Sequence, residues 1–240
     1  MNIFMLKKGI LIQARLGSTR LPCKILLPLA NNLSVIQFLI KRIRIILKEI
    51  KLDIPIGVAV PEADFTIFKD HLKEFKNIFI ISGEENNLAS KFLVATKEMD
   101  LDYIYRVTAD SPYLVKDVFE LLNDNEKKLV TYGAISLYGQ KKLAHGTVVS
   151  LLSKNFLTLI NASNCNIAKE HLVLSNLRKI SDLIFHPTIP QELYGENYRF
   201  SCDTIDDYRF LLNNNKLDIN VIDAKSTMDH FSKRVIYDQY

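Results

Sequence analysis

Three cations stand within twelve residues near the start of this chain. Arg15, Arg20 and Lys24 lie in the run Gln-Ala-Arg-Leu-Gly-Ser-Thr-Arg-Leu-Pro-Cys-Lys, residues 13–24. Between them sit the flexible Gly17 and the hydroxyls of Ser18 and Thr19. Arginine offers planar, forked donors that match phosphate oxygens, and lysine offers a mobile point charge. The run follows Gly9-Ile10-Leu11-Ile12, which reads as a short buried strand. A loop of this content, leaving the carboxyl end of a first strand, can wrap a triphosphate with backbone N–H groups, hydroxyls and basic side chains. A solvated basic turn explains neither the density of cations nor their position.

Two carboxylates far apart in sequence complete the chemistry. Tyr103–Thr108 is an apolar strand that runs into Ala109-Asp110-Ser111-Pro112, and Asp203 stands similarly after Tyr198–Cys202. An Asp at the carboxyl end of a parallel strand sits where open α/β sheets bind ligands. Each Asp alone could equally cap the next helix, and Asp203 or Thr204 could cap one beginning near Ile205. Two such residues beside a polyphosphate loop fit a nucleotide-bound Mg²⁺, which takes one or two carboxylates and fills its shell with phosphate oxygens and water.

The elements that must position these groups alternate in type. Strands are expected at Ile10–Ala14, Ile54–Val60, Ile78–Ile81, Tyr103–Thr108 and Leu129–Tyr132, with helices at Leu33–Ile50, Glu62–Phe75, Asn87–Met99 and Leu114–Asn123. That order predicts an α/β, Rossmann-like fold with a mostly parallel central sheet and helices on both faces. The first long helix carries Ile36, Leu39, Ile43, Ile46 and Ile50 on one stripe and Lys41, Arg44 and Lys48 elsewhere. Its place between two strands reads as packing on the sheet and not on a membrane surface. Beyond Ser136 the expected elements are a strand at Thr147–Leu152, helices at Lys154–Asn161 and Ile167–Leu177, a strand at Tyr198–Cys202, a helix at Ile205–Asn213, and a short strand and helix in the last twenty residues. No repeat or linker interrupts the pattern, so one domain, 1–240, is expected, with an inserted subregion at about 138–195.

Composition narrows the class. The chain has 240 residues, 48% hydrophobic and 24% charged, as in an ordinary soluble domain. A net charge of +4, evenly spread, does not point to nucleic acid. Cys23, Cys165 and Cys202 have no metal-type spacing and fit a reducing cytoplasm. No signal-peptide pattern or membrane span is found, and a cytoplasmic location is expected. Gly9 alone is not a dinucleotide-binding glycine motif, so a hydride-transfer enzyme is not expected.

The loop resembles the R-x-G-S-T-R-L-P-G-K signature of the sugar cytidylyltransferases, closest to the branch of spore-coat polysaccharide protein F and related to the CMP-Kdo synthetases. Arg15, Gly17, Ser18, Thr19, Arg20, Leu21, Pro22 and Lys24 match, and Cys23 replaces the usual glycine. Val107–Pro112 is similar to V-T-G-D-C-P, with Ala109 for glycine and Ser111 for cysteine, and Cys202–Asp207 is similar to V-D-T-P-E-D. Ser82–Phe92 resembles G-S-E-x-D-V-L-x-R-F, with Asn87 and Lys91 in place of aspartate and arginine. Ala168-Lys169-Glu170-His171-Leu172 resembles R-E-H-V. His145, where the family often has Asp-Gly before a strand, receives no role.

The resemblance implies a Mg²⁺-dependent transfer of CMP from CTP to an acidic or amino sugar with release of pyrophosphate, for surface polysaccharide or glycoconjugate synthesis. It implies Asp110 and Asp203 as metal ligands, and catalytic roles for Lys24, Arg15 and Asp110. The CTP phosphates would be held by Arg15, Gly17, Ser18, Thr19, Arg20 and Lys24, and Lys91 and Arg106 would also belong to the CTP site. Glu170 and His171 would contact the sugar, and the inserted subregion would build a homodimer. Asp206 and Asp207 read as first-turn acids favoured by the helix dipole. The open alternatives are a non-sugar acceptor such as a phosphonate or polyol phosphate, a metal-dependent glycosyltransferase, and a non-catalytic nucleotide-binding module.

Overall fold

The computed structural model describes residues 6–172 and 181–231. Strand β1 (Lys8–Gln13) leads into a hairpin of β2 (Pro28–Ala30) and β3 (Leu33–Ser34), then helix α1 (Val35–Glu49). There follow β4 (Ile56–Pro61), α2 (Phe65–His71), β5 (Ile78–Gly83), α3 (Leu88–Glu98), β6 (Tyr103–Thr108) and α4 (Lys116–Asp124). The chain continues through β7 (Ala134–Ser136), β8 (Ser150–Ser153), α5 (Lys154–Ala162), α6 (Asn166–His171), β9 (Ile184–Phe185), α7 (Ile205–Asn213) and α8 (Ala224–His230).

Seven of these strands form one sheet in the order β5-β4-β1-β6-β8-β7-β9. The first four are parallel, with Ile12 opposite Val58 on one side and Val107 on the other. β8 runs antiparallel to β6 and β7, and β9 is parallel to β7. Side chains alternate across the sheet. Ile10 and Ile12 of β1 pack under α1, α2 and α4, while Leu11 packs under α3, α5 and α6. This is the mostly parallel sheet with helices on both faces that the alternation of elements predicts. β8 and β9 fall within residues 138–195 and belong to the same sheet.

Helix α1 begins where Ser34 and Gln37 form a reciprocal capping box. Its stripe Ile36, Leu39, Ile43 and Ile46 is fully buried against the sheet. Each such side chain contributes roughly 1.5–3 kcal/mol on leaving water, which is why the basic face and not the apolar one meets solvent. Among the described residues no helix is long and apolar enough to cross a membrane.

Several expected elements differ. Leu129–Tyr132 is no strand: Glu126–Val130 forms a 3-10 turn, Val130 is 90% exposed, and the strand begins only after Gly133 at φ 63. The run has the right residue types but only Leu129 finds the core. Tyr198–Cys202 is extended without joining a sheet, apart from one parallel bridge between His145 and Arg199. Its backbone bonds go to two loops, with Phe200 N–H donating to His145 O and Cys202 N–H to Asp110 O. The strand expected at Thr147–Leu152 starts at Ser150. Helix α6 ends at His171, with Leu172 at φ 60, and the rest of the expected Ile167–Leu177 helix lies outside the described residues. Near the C-terminus α8 is present, no strand occurs in residues 221–231, and 232–240 are not described.

A third apolar cluster serves the site. Leu29, Phe38, Tyr113, Phe200, Cys202, Leu211 and Phe231 pack together, drawing the hairpin, residues 198–202, α7 and α8 into one body. That packing brings Asp203 back to the end of β6.

Candidate active site

The loop after β1 ends in a 3-10 turn, Lys24–Leu26, whose start is set by Cys23 in the left-handed conformation, φ 56 and ψ 17. A non-glycine residue there costs about 1–2 kcal/mol. The turn aims Lys24, only 8% exposed, into the molecule. Its ammonium donates to Asp110 Oδ2 at 2.5 Å and to Asp203 Oδ1 at 3.0 Å. One cation therefore bridges two carboxylates that stand 93 positions apart, 110 against 203.

Asp203 is the hub. Its Oδ1 also accepts from Arg20 Nη2 at 3.0 Å, and its Oδ2 from Arg199 Nη2 and the Ser201 hydroxyl, each at 2.9 Å. Burial alone would raise the pKa of this carboxyl, but Lys24, Ser201 and Arg20 outweigh burial and bring it down to about 2. For Lys24 burial disfavours the charge, yet Asp110 and Asp203 hold its pKa above the ordinary lysine value. Both groups are charged at neutral pH. The neighbouring Cys202 thiol is pushed up to about 12, chiefly by burial, and stays protonated.

Neither Asp caps a helix. Thr204 is the N-cap of α7, in a capping box with Asp207, which leaves the Asp203 side chain to the site. Asp207 is buried, accepts from the N–H groups of Asp203 and Thr204 and from Arg199 Nε, and so fixes the turn that carries Asp203. Val115, not Asp110, precedes α4.

The remaining expected site residues fall into three groups. Arg15, Gly17, Thr19 and Arg20 are exposed along the first loop and Ser18 is half-buried. A Cβ on Gly17 would lie 3.2 Å from Glu85 Oε1, so the β5–α3 loop closes against this loop. Lys91 is buried and donates to the Glu85 carbonyl at 3.1 Å. Arg106 is buried on β6 and donates through Nε and Nη2 to Gln13 Oε1, at 3.3 and 3.0 Å, and burial lowers its pKa to about 10. Glu170 and His171 lie at the end of α6, on the face of α3 and α5, and His171 is exposed.

Arg199, Ser201 and His145 belong to the same network, with His145 Nδ1 2.7 Å from Ser201 Oγ. None of them carries a motif of its own. Arg199 and Ser201 alternate along Tyr198–Cys202, and that alternation is the one sequence signal that could have paired them with Asp203.

The donor set suits a hard divalent cation. Two carboxylate oxygens converge on one positive charge, the Lys24 ammonium. Among the described residues no group of three or more His, Cys, Asp or Glu side chains could hold a metal by itself. A cation at Asp110 and Asp203 would thus draw its other ligands from phosphate oxygens and water, as Mg²⁺ does when bound with a nucleotide.

Comparisons with known proteins identify the family. The spore coat polysaccharide biosynthesis protein SpsF of Bacillus subtilis is 27% identical over 114 residues, 47% of this chain and 46% of that one. A cytidylyltransferase from Leptospira borgpetersenii superposes with a TM-score of 0.79 at 24% identity, covering 97% of this chain and 99% of that one. A CMP:2-keto-3-deoxy-manno-octonic acid synthetase complexed with CTP superposes with a TM-score of 0.58 at 14% identity, covering 86% and 97%. These two structures share the fold. The profile described as cytidylyltransferase matches residues 9–173, from β1 through the cation loop and Asp110 to the end of α6. The chain belongs to the cytidylyltransferase family.

Proposed function

We propose that this protein transfers CMP from CTP to a hydroxyl of an acidic or amino sugar, releasing pyrophosphate, in the synthesis of a surface polysaccharide or glycoconjugate. The observation that carries this reading is the Lys24 ammonium between Asp110 and Asp203, beside the cation loop. Transfer at phosphorus asks the protein mainly to position groups and to neutralise charge. Arg15, Arg20 and Lys24 take the β- and γ-phosphates, and Gly17, Ser18 and Thr19 let the backbone and hydroxyls approach them. Lys24 exchanges its carboxylates for phosphate oxygens as the nucleotide enters, so its charge is in place before pyrophosphate leaves. Mg²⁺ held by Asp110 and Asp203 would supply Lewis-acid polarisation of the α-phosphate. Lys91 and Arg106 steady the loop and strand around the nucleotide, Glu170 and His171 face the sugar, and residues 138–195 form the contact of a homodimer.

Pyrophosphate release with CTP, Mg²⁺ and a panel of acidic sugars, amino sugars, polyol phosphates and phosphonates tests it. Release with a sugar and CTP, and not with ATP, GTP or UTP, is expected. Release only with a phosphonate or polyol phosphate overturns the sugar assignment, and CTP binding with no release for any acceptor favours a binding module. Consumption of a ready-made sugar nucleotide would identify a glycosyltransferase instead.

A further inference from the structure

The loop before β8 approaches residues 198–201 more closely than side chains would allow. Gly146 has φ 95, and a Cβ there would lie 2.5 Å from Ser201 N and 2.7 Å from the carbonyl carbon of Phe200. On either side of this contact the backbones are locked, with His145 N–H donating to Tyr198 O at 3.0 Å and Phe200 N–H to His145 O at 2.6 Å. His145 is therefore presented by a rigid two-loop clamp, beside the aspartate hub, with its side chain exposed. The clamp consists of backbone and Gly146, so it does not need an imidazole.

Hydrogen-bond accounting fixes what the imidazole offers. The Ser201 hydroxyl has one hydrogen, and the Asp203 carboxylate, 2.9 Å away, can only accept it. Ser201 Oγ must then accept from His145 Nδ1, at 2.7 Å. The Nδ1 position carries the proton, and Nε2, on the far side of the ring, keeps its lone pair. Partial desolvation of the ring and the Arg199 charge hold the His145 pKa below the ordinary histidine value, against the opposing pull of Asp203, Asp110 and Asp207.

We propose that His145 Nε2 is the base that takes the hydrogen of the attacking sugar hydroxyl, with Ser201 and Asp203 holding the ring in the required tautomer. This rests on the CMP-transfer reading. In the step, the acceptor O–H bond breaks as its oxygen bonds the α-phosphorus of CTP. The bond from that phosphorus to the bridging oxygen breaks, pyrophosphate leaves with the electron pair, and the proton passes to Nε2 and on to solvent. A positioned base of this kind typically contributes 10²–10⁴-fold.

Two measurements test the proposal on the full chain. In ¹⁵N-histidine-labelled protein at pH 7.5, the His145 ring is expected to show a protonated Nδ1 and an unprotonated Nε2, and Ser201→Ala is expected to abolish that preference. The opposite tautomer, or a doubly protonated ring, overturns the proposal, and this arm needs no acceptor. In pyrophosphate release with saturating CTP and Mg²⁺ and whichever panel sugar is active, His145→Asn keeps a donor for Ser201 but has nothing at the Nε2 position. Its kcat is expected to fall about 100-fold with KM for CTP unchanged, and the acid limb of the pH profile is expected to disappear. A kcat within twofold of the parent shows a merely structural histidine. If no panel member reacts, the CMP-transfer reading fails, whereas the tautomer result still decides whether Nε2 is available as a base.

Discussion

Lys24 and Arg42 are both buried cations, and they are held in opposite ways. Lys24 lies between two carboxylates at the end of the sheet. Arg42 of α1 is 0% exposed and meets neutral partners, donating to Leu114 O at 2.5 Å and Thr227 Oγ1 at 3.0 Å, with its guanidinium 5.8 Å from the centre of the Tyr113 ring. Its Nη1 and the Tyr113 hydroxyl find no hydrogen-bond partner among the described residues. Burial lowers the Arg42 pKa to about 10, the cost of a desolvated charge without a paired anion. The difference separates an exchangeable charge from a fixed one. A phosphate can replace the carboxylates around Lys24 with little loss, because one anion substitutes for another. Nothing can replace the carbonyl and hydroxyl around Arg42 without opening the core, so Arg42 ties α1 to the β6–α4 loop and to α8.

The comparison can be broken most forcefully at the site. Asp110→Asn and Asp203→Asn are each expected to lower pyrophosphate release by about 10²–10³-fold, with the double substitution no worse than the poorer single one, because the residues act as one unit. Near-normal turnover in either, at unchanged Mg²⁺ dependence, would remove that residue from the metal set. Lys24→Ala and Arg15→Ala are expected to cut turnover by about 100-fold. Unchanged release at saturating CTP would separate the residue concerned from the phosphates.

Arg42→Ala should do the reverse, costing roughly 3 kcal/mol in denaturant unfolding, as for other buried side chains whose partners are left unsatisfied, while kcat per folded molecule stays within twofold. A lost kcat with intact stability would collapse the distinction between the two cations. Acid sharpens it further. Asp203 binds its proton only near pH 2 when folded but near 3.8 when unfolded, so the unfolded state binds more protons between these values. Stability from this group is present above pH 3.8 and lost as pH falls toward 2, on the order of 2 kcal/mol in all. Acid titration of parent and Asp203→Asn should converge, and parallel curves would show that Asp203 is not the depressed group. The smallest effect is expected at Cys23→Gly, which relieves a left-handed residue and should raise stability by about 1 kcal/mol or less in thermal unfolding.

Much of this was open to a reader of the sequence alone. The cation loop, the strand Tyr103–Thr108, the helix Ile205–Asn213 and the parallel alternation all depend on local patterns, in which a few adjacent residues carry both the signal and the structure. Asp110 was legible because it follows an apolar strand at a place where α/β sheets bind ligands, and Asp203 because it follows an extended run, although that run joins no sheet. What the sequence could not decide were features set by which loops meet. Leu129–Tyr132 has strand-forming residues yet turns outward, since only Leu129 reaches the core. Tyr198–Cys202 is extended but pairs with loops instead of strands, because the cluster around Tyr113, Phe200 and Phe231 pulls it across the ends of the sheet. That placement alone gives Asp203 its Arg199 and Ser201 partners and gives His145 a bond to Ser201. Residues 145 and 201 carry no mark of each other along the chain; a glycine small enough to let two backbones touch makes them neighbours.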